Sequence, residues 1–434
     1  MNMRKYLKKI PQELKDLINK ARDISDKKNL KVYLVGGFVR DLILGIENLD
    51  LDIVVEGDGI NFAEALAAAS KGKLTRHRRF GTATVMLHRG LKIDIATARK
   101  ESYPFPGSLP EVTPGSLKDD LLRRDFTINA MAMGITGRAF GKVIDIFDGQ
   151  RDLKEGKVGV LHDLSFLDDP TRILRAIRFE QRLNFKIEKH TLELLKEASR
   201  KKMLNRVEPQ RLRDELILVL KEKEPLRQLK RIKSLTGFSF ISPRLSLGGK
   251  QYSVLRSVNR QIAWFKNKHY ARRRLDDWII YLMGLTDTLD PKRLKSVCEI
   301  FAFTGGEQKR MLGYKKLSRM ISRKLARPGI KPSEVFSLLE PLSYETIIMI
   351  KSKYRTPAVQ RHIEDFFAVY NGMRPHVRGD DLRRLGVLPG PHYKKIFSRV
   401  LQEKLNGRLS TKEEELSLIA KLAAKGIHRG RFTP

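Results

Sequence analysis

A chain of 434 residues with 41% hydrophobic and 8% aromatic residues carries enough apolar side chain for about three folded domains and is too apolar to be disordered. Its 86 Lys and Arg against 50 Asp and Glu leave a formal net charge of +36, a balance that calls for a polyanion, either nucleic acid or an anionic membrane. Cys298 is the single cysteine, which excludes an intramolecular disulfide and any zinc site with two Cys ligands, and fits a reducing cytoplasm.

The first ten residues are basic and run into Pro11, Glu13, Lys15 and Asp16 with no apolar stretch, unlike a signal peptide. Leu14, Leu17, Ile18 and Ala21 have helical spacing and predict an amphipathic helix over 12–24. A strand follows over 32–35, broken by Gly36-Gly37, then a helix over 38–44. A second strand over 49–55 ends at Gly57, an Ala-rich helix covers 62–70, and two more strands cover 82–87 and 91–96. Helices alternating with strands predict a small domain of both over about the first 150 residues.

The segment 101–116 carries Pro104, Pro106, Pro110, Pro114, Gly107 and Gly115 and reads as a loop without a regular element. Ser116 with Asp119 forms a capping-box pattern for a following helix. After Gly149 the strand signal nearly vanishes, and residues 150–434 read as helices punctuated by Pro and Gly. The longest apolar stretch, near Trp278–Leu285, is far short of the ~20 residues of a membrane span. Nucleic acid is therefore preferred to membrane as the partner. The positive charge lies on the helical part: residues 221–280 hold 15 Lys and Arg against 4 acids, and 301–330 hold 8 against 1.

Chemistry concentrates earlier. Residues i and i+2 of a strand share a face, so Asp50 and Asp52 sit side by side, about 6–7 Å apart along the chain. Two carboxylates that close repel, and a divalent cation is the usual reason to hold both ionised. The Gly36-Gly37 turn opens a helix whose N-terminal N–H groups suit phosphate, and Arg40 on its first turn suits a charge-assisted contact. Asp94, flanked by Ile93 and Ile95, alternates on its own strand and is a candidate third carboxylate. A solvent-facing polar edge is the plainer alternative for each.

These residues resemble the nucleotidyltransferase superfamily of DNA polymerase beta. The longer strings resemble the class II tRNA CCA-adding enzymes and their poly(A) polymerase relatives: Tyr33 to Asp41, Asp50-Leu-Asp52, Arg123 to Ala132, and Asp168 to Phe179. The likeness is continuous over about 30–220 and fainter beyond, where Gly379 to Gly390 looks like the tail of the same family. It implies an α+β chain: a mixed-sheet head over 1–150, then all-α neck (151–220), body (221–330) and tail (331–434).

In the family the two aspartates hold two catalytic Mg²⁺ ions and the Gly-Gly turn receives the triphosphate, roles that fall here on Asp50, Asp52, Gly36, Gly37 and Arg40, with Asp94 as a further ligand. A second motif, Arg123, Arg124, Asp125 and Asn129, would read the ribose; a carboxylate beside an amide suits a 2′-hydroxyl, which both donates and accepts. Asp125 and Asn129 are four apart and share a face if the segment is helical. A further motif, Asp168, Asp169 and Arg172, would pair with the base edge of CTP or ATP, and Arg175 and Arg178 continue it among the nucleotide contacts. Asp169-Pro170 reads equally well as a helix cap followed by proline in the first turn. Arg211 and Glu215 suggest an i,i+4 ion pair bracing the neck. A hinge motif falls on Asp145, Gly149, Asp152 and Leu153, but Val158-Gly159 stands where relatives usually carry Ile-Arg, a loss that would loosen the neck.

None of the nine His shows metal-ligand spacing, and His77, His88 and His162 read as surface or loop residues. Arg76, Arg78 and Arg79 are phosphate contacts or a solvated run; Trp264 and Trp278 read as core. The resemblance implies a cytoplasmic enzyme that adds nucleotides from CTP and ATP to the tRNA 3′ end without a template. CC-only, A-only and poly(A) addition share every motif, while the full-length segment 101–114 leans toward an enzyme that reaches the terminal A. A non-catalytic RNA-binding protein would have no use for repelling carboxylates.

Overall fold

In the computed structural model, residues 7, 10–47, 50–268, 270, 272 and 274–424 are described. Helix α1 (Gln12–Lys27) leads into strand β1 (Lys31–Val35), helix α2 (Gly37–Leu44), strand β2 (Leu51–Glu56) and helix α3 (Gly59–Ser70). Strands β3 (Lys73–His77), β4 (Thr82–Met86) and β5 (Lys92–Thr97) follow, then β6 (Arg99–Ser102), β7 (Glu111–Pro114) and helix α4 (Leu117–Leu122). Strands β8 (Met131–Gly134) and β9 (Val143–Asp145) complete a seven-stranded sheet of order β3-β4-β5-β2-β1-β8-β9. It is mixed: β2 and β5 run parallel and the other neighbours antiparallel. Leu49, expected to open the second strand, lies outside the described residues.

Strand alternation divides the two faces of the sheet. Ile53, Val55, Ala83, Val85, Ile93 and Ile95 are buried on one, with Phe62, Ala63 and Leu66 of α3 also buried in the core. On the other, Tyr33, Val35, Val54 and Ala132 pack against Leu117 and Leu121 of α4. That cover leaves the middle of β2, β5 and β4 open, where Asp52, Asp94 and Thr84 stand half-buried in register across three strands. The capping box at Ser116 forms as expected, Ser116 Oγ accepting from Asp119 N and Asp119 from Ser116 N.

The segment read as a loop is a hairpin. Four residue pairs join β6 to β7, from Arg99 opposite Pro114 to Ser102 opposite Glu111. Pro114 sits at the end of the ladder, where its missing N–H does no damage. The hairpin tip rests on later residues: Gly107 N donates to the carbonyls of Leu167 (3.1 Å) and Asp168 (3.3 Å).

After β9 come helix α5 (Gly149–Glu155), a two-residue parallel pair β10 (Lys157–Val158) and β11 (Lys186–Ile187), and helices α6 (Ser165–Asp168), α7 (Arg172–Leu183), α8 (Lys189–Arg200), α9 (Pro209–Lys221) and α10 (Pro225–Leu235). Helix α7 buries Ile173, Leu174, Ala176 and Ile177, and its Phe179 meets Phe126 edge-on at 5.8 Å. All these elements belong to one compact unit ending at Pro243; a second runs from Arg244. The expected head and neck fall inside the first, and the break lies within the stretch expected as the body.

The second unit contains helices only among its described residues. Asp277–Leu285 is buried along nearly its whole length, and Trp264, Phe265, Tyr344 and Phe367 form an aromatic cluster beside it. Trp278 is core as expected, whereas Trp264 is half-buried with the Lys351 ammonium 4.6 Å from its ring centroid. Three further helices, Gly379–Arg384, His392–Leu405 and Lys412–Ala424, close around Val377, Leu382, Ile396, Val400 and Ile419. Among the described residues no helix is long and apolar enough to cross a membrane.

Candidate active site

The turn between β1 and α2 creates the site. Gly36 adopts φ 68° and ψ −134°, a conformation open to glycine, and a Cβ there would lie 2.7 Å from Arg124 Nη1 and 3.6 Å from Asp52 Oδ2. The bare backbone thus lets a guanidinium and a carboxylate approach the mouth of the α2 N-terminus. Asp52 stands on β2 and Asp50 immediately before the strand, outside its ladder, and both line the same cleft. Burial pushes the Asp52 carboxyl up to about 6; Arg124 pulls it down, while Asp94 and Asp50 push it further up. Burial is the main cause, and the two neighbouring carboxylates act against Arg124 and Lys92. A donor set of carboxylate oxygens with excess negative charge fits a hard divalent cation, and Asp50 and Asp52 are the residues that would hold it.

Asp94 shares the register of Asp52 but is not gathered with the other two carboxylates. Its Oδ1 accepts from Thr84 Oγ1 at 2.7 Å and its Oδ2 pairs with Lys92 Nζ at 2.5 Å. Among the described residues no three His, Cys, Asp or Glu side chains come close enough to share one ion. Asp94 keeps the expected strand position, with its two carboxylate oxygens engaged by Thr84 and Lys92.

A cleft of about 700 Å³ opens from the glycine turn and takes its walls from the head and from α7 and α9. Gly36, Gly37, Arg40, Asp50, Asp52, Arg124, Asp125, Asn129, Asp169, Arg172, Arg175 and Arg178 all line it. Asp168 does not: it ends α6, half-buried, with its carboxylate 3.9 Å from His162 Nε2. Chain direction explains this, because the backbone turns between α6 and α7 and sends adjacent residues to different sides.

Asp125 and Asn129 meet although the segment is not an α-helix. Phe126 is extended and Thr127–Asn129 is a single tight turn, yet Asn129 Nδ2 donates to Asp125 Oδ1 at 2.9 Å. Arg175 donates twice to Asp125 Oδ2, at 2.6 and 2.9 Å. Burial alone would raise the Asp125 carboxyl, but Arg175 and Asn129 outweigh it and hold it down at about 2. Arg40 lines the cleft and also acts as an internal brace. It is 3% exposed and donates to Asn129 Oδ1 (2.6 Å) and Asp41 Oδ1 (2.8 Å), fixing the amide that faces the cleft.

Asp169 accepts from Thr171 N (3.1 Å) and Oγ1 (2.7 Å) and pairs with Arg211 at 2.8 Å. Helix α7 begins only at Arg172, so Asp169 shapes the turn before the helix and faces the cleft as well. Arg172 donates to Ser165 Oγ (2.7 Å) and to the Arg123 carbonyl (2.8 Å), which ties α7 to the head. The i,i+4 pair expected between Arg211 and Glu215 does not form. Arg211 goes to Asp169, and Glu215 takes Arg175 (2.9 Å) and Arg178 (3.3 Å) of α7.

At the hinge, Asp145 accepts from Gly149 N (2.8 Å) and Gln150 N (2.9 Å) and so caps α5. A Cβ on Gly149 would lie 2.4 Å from the Thr127 carbonyl, so this contact needs glycine. Thr127 Oγ1 donates to Asp152 (2.6 Å) and Thr127 N to the Gly159 carbonyl (2.9 Å), so the neck contact at Val158-Gly159 is made by threonine and backbone.

Several residues at or behind the cleft escaped sequence reasoning. Asp120 is fully buried and takes both Arg123 (2.6 Å) and Arg124 (2.9 Å); its i,i+3 and i,i+4 spacing to them was the available signal. Glu101 and Tyr103 line the cleft from the hairpin, Tyr103 Oη donating to Glu101 Oε2 at 2.9 Å, and the loop reading of that segment hid them. Asp214 and Arg182 are also at the wall. Arg124 Nε, Arg178 Nε and Arg211 Nη1 are buried with no hydrogen-bond partner among the described residues, donors that an anionic ligand would satisfy.

A glycine turn at a helix N-terminus, two strand carboxylates and a second wall of buried arginines define a nucleotidyltransferase head joined to a helical neck. Residues 32–159 match the poly A polymerase head domain family. The chain is 38% identical over 419 residues, 95% of its length, to an A-adding tRNA nucleotidyltransferase of Geobacter sulfurreducens, and spans 48% of that protein. It is 38% identical over 74% of its length to the A-adding enzyme of Aquifex aeolicus, spanning 39% of it, so the chain covers about half or less of these two relatives. The Thermotoga maritima CCA-adding enzyme complexed with tRNA superposes with a TM-score of 0.74 at 35% identity, covering 98% of this chain and 99% of that one. The chain belongs to the class II tRNA nucleotidyltransferase family.

Proposed function

We propose that this chain transfers nucleotidyl groups from ATP and CTP to the 3′ end of tRNA without a nucleic-acid template. The observation that carries the reading is the single cleft that brings together the Gly36-Gly37 turn, Asp50 and Asp52, the Asp125–Asn129 pair, and Asp169 with Arg172. The α2 N-terminus offers backbone N–H groups to the triphosphate, and Arg124 adds charge. Asn129, held by Arg40 and Asp125, presents an amide whose donor and acceptor match a 2′-hydroxyl. Asp169 and Arg172, set by their own partners, offer an acceptor and donors to a base edge. CTP and ATP both carry an exocyclic amine beside a ring nitrogen, which suits this pair, whereas UTP and GTP carry a carbonyl there. Divalent cations, Mg²⁺ in the first instance, would be held by Asp50 and Asp52 and supply charge neutralisation of the phosphates and a more acidic 3′-hydroxyl. The cytoplasm, where tRNA is processed, fits a chain with one buried cysteine.

Full CCA addition is supported by the near full-length likeness to a CCA-adding structure; addition of A alone is supported by the names of the two relatives above. Incubation with tRNAs lacking one, two or three 3′ nucleotides, with labelled CTP and ATP offered separately and together, distinguishes them by product length. Extension of all three to CCA supports the first; extension only of tRNA ending in CC, with ATP, supports the second. No extension of any of them rejects the proposed activity. Asp50→Ala and Asp52→Ala should each abolish addition and leave tRNA binding near wild type; a retained rate removes the carboxylate assignment.

A further inference from the structure

The open face of the sheet carries a cation of its own. Thr84, Asp94 and Asp52 lie in one row across β4, β5 and β2, and strands so paired are about 4.8 Å apart. Lys92, two residues before Asp94 on β5, projects from the same face. Its ammonium closes on Asp94 Oδ2 at 2.5 Å, while Thr84 takes Oδ1, so both oxygens of a carboxylate placed beside Asp52 are engaged by the protein. Asp52 in turn feels Asp94 and Asp50 as like charges, and Arg124 and Lys92 as the opposing ones.

We propose that Lys92 is a built-in occupant of the divalent-cation site, its ammonium engaging the Asp94 carboxylate beside Asp52 until a divalent ion displaces it. The inference rests on the carboxylate-pair reading above and deepens it. Both Lys92 and Asp94 side chains are nearly half exposed, 47% and 45%, so the pair is free to open without unpacking the core. Displacement releases a third carboxylate oxygen toward the ion and a lysine toward incoming phosphate. Lys92 thereby weakens cation binding to the resting protein and makes it easier once an anionic substrate offers the lysine another partner.

The test is calorimetric titration of MnCl₂ into the full chain without nucleotide, at fixed ionic strength and pH 7.5, each variant being checked for folding by circular dichroism. Lys92→Met should tighten Mn²⁺ binding about five- to twentyfold, since a unit charge near a divalent ion is removed. Lys92→Arg, which keeps the ion pair, should not tighten it. Lys73→Met is the control: Lys73 pairs with Met86, which pairs with Lys92, so it sits two strands away, and it should change affinity less than twofold. On an Asp94→Asn background the Lys92→Met gain should vanish. Unchanged or weaker binding by Lys92→Met, a gain matched by Lys73→Met, or a gain that persists with Asp94→Asn overturns the proposal while the Asp52-dependent site stands. A wild-type chain with no Mn²⁺ site removed by Asp52→Asn overturns the carboxylate-pair reading as well.

Discussion

Asp125 shows how one buried residue couples the wall of the cleft to stability. In an unfolded chain its pKa is about 3.9; in the fold burial pushes it up, and Arg175 and Asn129 pull it down further, to about 2. A depressed pKa contributes stability above the unfolded value, and that stability is lost as pH falls from about 4 through about 2. The contribution is roughly 2 kcal/mol, with about half gone at pH 3. Asp125→Asn removes it without stranding Arg175, which keeps Glu215. Urea unfolding at pH 6 should therefore place Asp125→Asn about 2 kcal/mol below wild type, and the gap should narrow by about half at pH 3. An unchanged gap would show that the ion pair is not its source. Gly36 is the complementary case, where absence of a side chain is the functional feature. Gly36→Ala strains the turn and places a methyl 2.7 Å from Arg124 Nη1. Nucleotide addition should fall at least about tenfold, with a stability loss of only about 1–3 kcal/mol. Addition at the wild-type rate would mean that the Arg124 position does not matter.

The β1–turn–α2–β2 unit was legible in sequence because apolar runs, a Gly-Gly break and an alternating Asp-Leu-Asp coincide within residues 31–56. Asp94 was legible by the same alternation on β5. The hairpin β6–β7 was not, since its prolines sit in the tip and at the last register position, where they spare the ladder. Strand β3 was missed because it lies at the edge and is almost wholly exposed, so it lacks an apolar alternation. Strand β8 was missed for the opposite reason: Met131 to Gly134 are all buried and leave no polar face to mark a period. Partner choice is where local rules failed most clearly, as at Arg211 and Glu215. Helix α7 fixes the outcome by presenting Arg175 to Asp125 of the head and to Glu215 of α9. Arg175→Ala leaves two buried carboxylates facing the vacated space and should lower stability by about 3–5 kcal/mol. Arg175→Lys cannot make the two-sided fork and should recover less than half of that. Chemical unfolding of the three proteins checks both values, and full recovery by lysine would mean that charge alone holds α7 to the head.

The +36 charge of the whole chain is weighted along the sequence toward the helical part and suits a long polyanion. Helix Gly305–Leu325 of the second unit gives that field a geometry. Lys309, Lys316, Arg319 and Arg323 are all exposed on it. At 100° per residue they fall within about 80° of one another, a single cationic stripe about 20 Å long. A-form RNA is gripped through its phosphates and its shape, and each phosphate neutralised releases counterions. Under the proposed function, log affinity for tRNA should therefore fall steeply and linearly with log salt. Replacing the four stripe residues by Ala should reduce the magnitude of that slope by up to about 3, at about 0.7–0.9 per lost phosphate contact. Affinity near 0.1 M salt should drop about ten- to a thousandfold, while kcat at saturating tRNA stays close to wild type because no stripe residue lines the cleft. A change in kcat with an unaltered slope would place the stripe in another role. A flat salt titration of the wild-type chain would remove the electrostatic basis of RNA binding altogether. Equal loss for tRNA and for single-stranded RNA of the same length would show that the stripe reads charge alone, and greater loss for tRNA would show that it also reads the shape of the folded RNA.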